Sequence, residues 1–279
     1  MIIKTENIFS LEGKVVVISG ASGLLGRSFA EAVSIFNGRP ILLDIKEGTA
    51  RSLAQELNKK YSVDAIGFDI DITSEEQIEK NVIEVLNDCS KIDCLVNNAA
   101  NNPDVNKDSK NEEFSRLENF KIESWEKDIK VGLTGSFLCS KHYGNAISRT
   151  SKNGSIVNIS SDLGLISPDQ RLYVKKGLRD ENQPVKPVSY SVTKSGINGL
   201  TKYLATYWLK EGVRCNAICP GGVRNNQSDN FISEIEKRIP LGRMAEINDY
   251  QGTLVWMLSD ASRYLNGAIV PVDGGRTSW

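Results

Sequence analysis

The chain has 279 residues, of which 40% are hydrophobic, and a formal net charge of −1. That apolar share suits a globular core, and doubly wound α/β folds often reach this length as one unit. The near-neutral balance offers no field to attract nucleic acid or an anionic membrane, so neither is expected as a partner.

Strand and helix signals alternate along the chain. Residues 14–19 (KVVVIS) predict a strand ending at glycine, and 26–36 have helical spacing. Residues 40–45 (PILLDI) predict a second strand, 50–60 a polar-faced helix, and 65–70 a third strand. A helix follows over 74–87, with Thr73 or Ser74 as its cap and acids in its first turn. Residues 93–97 (DCLVN) predict the fourth strand, 125–149 a long helix, and 155–160 (SIVNIS) the fifth strand. Another long helix is predicted over 190–210, and strands over 213–218 and 268–272 complete the pattern. Such alternation predicts one α/β domain over residues 1–279, a Rossmann-type doubly wound parallel sheet of about seven strands with helices on both faces. Three polar stretches, 101–123, 165–188 and 225–240, lack that rhythm and are expected to be substrate-side loops.

Residues 1–10 lack the apolar centre of a secretory leader, and no apolar run approaches the roughly 18 residues of a membrane span. The five cysteines form no CxxC pair, and His142 is the only histidine. A cytoplasmic protein with structural thiols and no metal is expected.

The first strand runs into Ser19-Gly20-Ala21-Ser22-Gly23-Leu24-Leu25-Gly26. Glycine at 20 permits a tight turn, glycine at 23 lets backbone N–H groups approach a pyrophosphate, and glycine at 26 lets the helix pack on the strand. The helix start turns partial positive charge toward the phosphates. Asp44 ends the second strand, 18 residues after Gly26. A carboxylate there suits the two hydroxyls of an adenosine ribose and repels a 2′-phosphate, which favours NAD over NADP.

Beyond this turn the sequence resembles the short-chain dehydrogenase/reductase family over nearly its whole length. The motifs occur in family order: the glycine turn, Asp71-Ile72, Asn97-Asn98-Ala99-Ala100, Ser161, Tyr190-Ser191-Val192-Thr193-Lys194, Pro220-Gly221-Gly222 and Val272-Asp273-Gly274-Gly275. The resemblance implies an oxidoreductase in which Tyr190 exchanges a proton with a substrate hydroxyl or carbonyl, Ser161 hydrogen-bonds that oxygen, and Lys194 activates the tyrosine. On a helix, residues four apart share a face, and an ammonium one turn away favours the phenolate. The family pattern also assigns the cofactor to Gly20, Ser22, Gly23, Leu24, Leu25, Gly26, Asp44, Asp71, Ile72, Asn97, Ala99, Tyr190, Lys194, Pro220, Gly221, Val223 and Asn225. Members usually form homodimers or homotetramers.

Four features depart from the family pattern. Leu24 stands where a middle glycine is usual, with glycine one place earlier. In KVGLTGSF, Gly132 replaces an asparagine that helps relay protons in many members. Asn225 replaces the threonine that usually follows the Pro-Gly turn. Tyr173, 12 residues after Ser161, competes with Tyr190 but has Gly177 rather than lysine four places on. Choosing Tyr190 makes 165–188 an insertion, and Ser160 remains the alternative to Ser161.

Arg171, Lys175, Lys176 and Arg179 in the insertion suit an anionic group. Asn101, Asn102, Asp162, Gln170 and Asn226 suit a polyol, and little apolar lining is available for a steroid or acyl chain. A small polar substrate is expected, a sugar or sugar acid, with Asn101, Asp162, Gln170 and Arg171 as its candidate contacts. The segments NNAANNP, SSDLG, SPDQRLY and GGRTSW also resemble bacterial flagellin-modification and surface-sugar oxidoreductases. Two alternatives remain: a redox-neutral sugar epimerase or dehydratase with bound NAD, suggested by the Gly20-x-x-Gly23-x-x-Gly26 spacing, and a non-catalytic NAD-binding protein, suggested by Gly132.

Overall fold

A computed structural model describes residues 8–101 and 115–279. Asn102 and most of the first polar stretch lie outside the described residues, as do residues 1–7.

Seven short strands form one parallel sheet. The strands are β1 (Val15–Ser19), β2 (Arg39–Asp44), β3 (Ile66–Asp69), β4 (Cys94–Asn97), β5 (Ser155–Ile159), β6 (Arg214–Pro220) and β7 (Ile269–Val272). Their order is β3-β2-β1-β4-β5-β6-β7, so the chain reverses its winding between β1 and β4. In doubly wound sheets ligands bind at the carboxyl ends of the strands beside such a reversal. Ser19, Asp44, Asn97 and Pro220 all end strands.

Side chains alternate across the sheet, as a strand's period of two requires. Val16 and Ile18 face a core made with α1 (Leu24–Ile35), α2 (Thr49–Tyr61) and α8 (Gln251–Leu258). Val15 and Val17 face a second core made with α3 (Glu75–Cys89), α5 (Gly135–Thr150) and α6 (Val188–Tyr207). Each fully buried large aliphatic side chain in these layers contributes on the order of 1.5–3 kcal/mol. Ser74 caps α3 through the Gln77 N–H, and Trp208 packs in the second core.

Two predicted elements differ in the structure. The long helix over 125–149 is instead α4 (Ile122–Ile129), a π-helical turn (Lys130–Thr134) and α5. Residues 225–240 are not a loop throughout, because α7 (Asp229–Glu236) lies within them, capped by Ser228. A third, smaller core joins α7 to the 165–188 segment, where Leu172 packs with Ile235, Ile239 and Met244. Among the described residues no helix is long and apolar enough to cross a membrane.

Candidate active site

The glycine turn is held open by its neighbours. Gly20 adopts φ +61°, and a Cβ there would sit 2.8 Å from the Ala99 Cα. A Cβ on Gly26 would strike the Gly20 carbonyl oxygen. Both positions therefore require glycine, the first for conformation and contact, the second for close helix packing. Asn98 ties the ends of β1 and β4 together, its Nδ2 donating to the carbonyls of Ser19 (3.1 Å) and Gly20 (3.0 Å). Sequence reasoning gave Asn98 no role, because its partners lie 78 and 79 residues away.

A dinucleotide fits this cradle. The α1 N-terminus at Gly23 has no side-chain cap, which leaves its first N–H groups available to a phosphate. The Ser22 hydroxyl is buried and finds no partner among the described residues. Asp44 is half-buried beside the turn and accepts from the N–H groups of Ser22 (2.9 Å) and Lys46 (3.1 Å).

Other expected cofactor contacts are partly engaged within the protein. Asn97 turns its amide nitrogen into the core, toward Ser140 (2.9 Å) and Asn158 (2.8 Å). Asp71 accepts from the Thr73 N–H, and Ile72 is buried. A Cβ on Gly221 would sit 2.9 Å from the Asp273 Cα. The Val223 carbonyl accepts from Gln227, whose own side-chain oxygen takes the Asn225 N–H. Leu24 is exposed and Leu25 half-buried.

At the far end of the crevice, Ser161, Tyr190 and Lys194 converge from β5 and α6. Ser160 points its hydroxyl at the Lys194 backbone carbonyl (2.9 Å), whereas the Ser161 hydroxyl donates to Asp162 (2.8 Å) beside Tyr190. Burial pushes the Tyr190 phenol up, while the Ser161 hydrogen bond pulls it down and the Asp162 carboxylate adds to the rise. The Lys194 ammonium donates to the Ile159 carbonyl (2.8 Å) and lies 5.8 Å from the Tyr190 ring centroid. Burial, and then the nearby Lys186 charge, lower Lys194 to about 8. Tyr173 instead packs against Phe231, with ring centroids 5.8 Å apart, and burial pushes its phenol well up.

The 165–188 segment supplies an unexpected member. Lys186 holds its ammonium 3.8 Å from the Tyr190 ring centroid, within cation–π range. Gln170 is exposed, and its side-chain oxygen accepts the Lys186 N–H (2.8 Å). Arg171 is exposed and forks onto Asp169, which also takes Arg238. Asn101 does reach the site, donating to Asp128 at 2.6 Å. Asn101, Asp128, Gly132, Thr193 and Lys194 line a small pocket beside Tyr190, about one water molecule in size. Asp162 is buried and engaged with Ser161 and Arg276.

Comparison with known proteins decides the family. Residues 20–277 match the family model described as Enoyl-(Acyl carrier protein) reductase. The chain belongs to the short-chain dehydrogenase/reductase family. It is 31% identical to 3-oxoacyl-(acyl-carrier-protein) reductase FabG of Aquifex aeolicus, over 95% of this chain and 98% of that one. It is 31% identical to the NADP-dependent mannitol dehydrogenase of Alternaria alternata, with 97% and 94% covered. It is 29% identical to post-translational flagellin modification protein A of Campylobacter coli, with 95% and 98% covered. A solved short chain dehydrogenase from Leptospira borgpetersenii with bound NAD+ superposes with a TM-score of 0.82 at 30% identity, covering 99% and 97%. The expected family, fold and flagellin-modification resemblance thus hold. The chain is an oxidoreductase of a family that uses nicotinamide cofactors, with both NAD- and NADP-linked members among its relatives.

Proposed function

We propose that this protein is an NAD(H)-dependent oxidoreductase that interconverts an alcohol and a ketone on a polar sugar or sugar acid. The observation that carries this reading is the meeting of Ser161, Tyr190 and Lys194 at the strand ends beside the glycine cradle. Tyr190 acts as acid/base, passing a proton to or from the substrate oxygen, and Ser161 hydrogen-bonds that oxygen as charge develops. Lys186 over the ring, and Lys194 while it is charged, oppose the rise that burial imposes on the Tyr190 phenol. Gly20, Ser22, Gly23 and the α1 N-terminus would hold the dinucleotide's phosphates and Asp44 its adenosine ribose. When bound, the nicotinamide supplies the hydride-transfer capacity that the side chains lack.

The site walls support a polar substrate. Asn101, Asp128 and Lys186 surround the tyrosine, and a mannitol dehydrogenase and a flagellin modification protein are among the relatives. The segments 115–123, 165–188 and 225–240 are the substrate-side walls on this reading, and the reaction is placed in the cytoplasm. Self-association is part of it, because α6 leaves Val192, Tyr203 and Tyr207 exposed along one stripe.

Two measurements test the reading. Mannitol, gluconate and uronic acids are incubated with NAD, and NADH formation is followed at 340 nm; the reading expects turnover of at least one of these polyols or acids, and none with wild type contradicts it. NAD and NADP affinities are then compared in wild type and Asp44→Ala. Wild type is expected to prefer NAD and the variant to lose most of that preference; a wild type that prefers NADP contradicts the cofactor assignment.

A further inference from the structure

The chain after β7 turns back toward the catalytic serine. The Asp273 carboxylate accepts from the N–H groups of Gly275 (2.9 Å) and Thr277 (2.8 Å). Gly274 and Gly275 both adopt positive φ, and a Cβ on Gly275 would sit 2.9 Å from Pro240 Cγ. This turn carries Arg276 inward, to 8% exposure. Its guanidinium donates to Asp162 Oδ2 at 2.6 Å. Asp162 is 3% exposed, and its Oδ1 accepts from the Ser161 hydroxyl (2.8 Å) and the Leu163 N–H (2.8 Å).

A buried ion pair is poor evidence of stability, since desolvation offsets most of its attraction. The placement of this one has a direct chemical consequence. Ser161 has one hydroxyl proton, which it gives to Asp162, and it stands beside the Tyr190 phenol, whose acidity it raises. While the Ser161 hydroxyl points its proton at Asp162, an oxygen lone pair is left open to the phenol's O–H. When Tyr190 has given up its proton, Ser161 can turn its own toward the phenolate. By binding Oδ2, Arg276 leaves Oδ1 to Ser161 and balances a negative charge that Tyr190 would otherwise face.

We propose that Arg276 and Asp162 are positioning residues for the proton-exchanging pair, the ion pair orienting the Ser161 hydroxyl and neutralising the charge beside Tyr190. This rests on the assignment of Tyr190 as acid/base. The groups facing Tyr190 are Asp162 behind Ser161, Lys194 one turn along α6, Lys186 over the ring, Asp128 across the small pocket and Tyr173 from the 165–188 segment. Of these, only Asp162 is paired with a side chain brought in by the turn after β7.

Removing one member of the pair should move Tyr190 acidity in opposite directions. Asp162→Asn keeps an acceptor for Ser161 and Leu163 but leaves the Arg276 charge unbalanced, which favours the phenolate. Arg276→Met leaves the carboxylate unbalanced and favours the phenol. The full chain is labelled with tyrosine carrying ¹³C at Cζ, and the Tyr190 resonance is assigned by its loss in Tyr190→Phe. Its titration is expected to move down by roughly 0.5–1 pH unit in Asp162→Asn and up by a similar amount in Arg276→Met. The double variant should return close to wild type, and Arg276→Lys should stay there. Shifts in the same direction, or none in either single variant, overturn the proposal. The titration needs no turnover, so this failure is distinct from loss of the acid/base reading, which would show as full activity in Tyr190→Phe. If one single variant does not fold, the other and Arg276→Lys still decide the sign.

Discussion

Lys194 sits in the candidate active site at a cost. It is 7% exposed, its ammonium donates to the Ile159 carbonyl, and Lys186 repels it. Burial holds its folded-state pKa at about 8, against 10.5 for an unperturbed lysine. Between those values the unfolded chain binds the extra proton, so folding stability rises with pH through that window. Below about 8 the lysine is charged in both states, and the penalty, on the order of 3 kcal/mol, is fully present. Lys194→Met is therefore expected to melt higher than wild type at pH 7, with the gain shrinking as pH approaches 10. A variant that melts no higher at pH 7 would show that the Ile159 hydrogen bond outweighs the desolvation. Stabilisation on losing an active-site charge is what strain held for function predicts.

The π-helical turn between α4 and α5 explains the glycine that departs from the family pattern. A Cβ on Gly132 would sit 2.5 Å from Thr193 Cγ2, so the side chain an asparagine would bring has no room while threonine stands at 193. The two positions are 61 residues apart, and their exclusion of each other is visible only once α4, α5 and α6 pack. Gly132→Asn is expected to destabilise the protein by about 1–3 kcal/mol through overpacking. Adding Thr193→Ser, which removes the obstructing methyl and keeps the hydroxyl, should recover most of the loss in denaturant melts. No recovery would place the strain elsewhere in the turn. The helices missed in the sequence have physical reasons of the same kind. α8 is apolar on all sides and carries no 3.6-residue stripe, and α7 spans only 8 residues. The 165–188 segment is held by side-chain amides, with Gln183 serving the backbone of Lys175 and Leu178, and such bonds leave no periodic signature.

For the whole molecule, the legible part was whatever the chain writes locally. Strand–helix alternation implied the parallel sheet, and the motifs at strand ends implied a crevice beside the β1–β4 reversal. Asn98, Lys186 and Arg276 were not legible. Asn98 and Arg276 meet partners 78 to 114 residues away, and Lys186 follows a run of polar residues in which no single cation stands out. Asp162 and Gln170 were read as candidate substrate contacts; the Asp162 carboxylate is buried against Arg276, and the exposed Gln170 accepts from the Lys186 backbone. The choice of Tyr190 over Tyr173 bears on everything else, because it sets which segment is an insertion and which side chains surround the reacting oxygen. It is tested by comparing Tyr190→Phe and Tyr173→Phe for NAD-linked turnover and for NAD binding. Tyr190→Phe is expected to reduce turnover by at least about 10²-fold, the scale of a lost general acid/base, while NAD binds as in wild type. Tyr173→Phe should retain most activity; the reverse pattern would contradict the assignment.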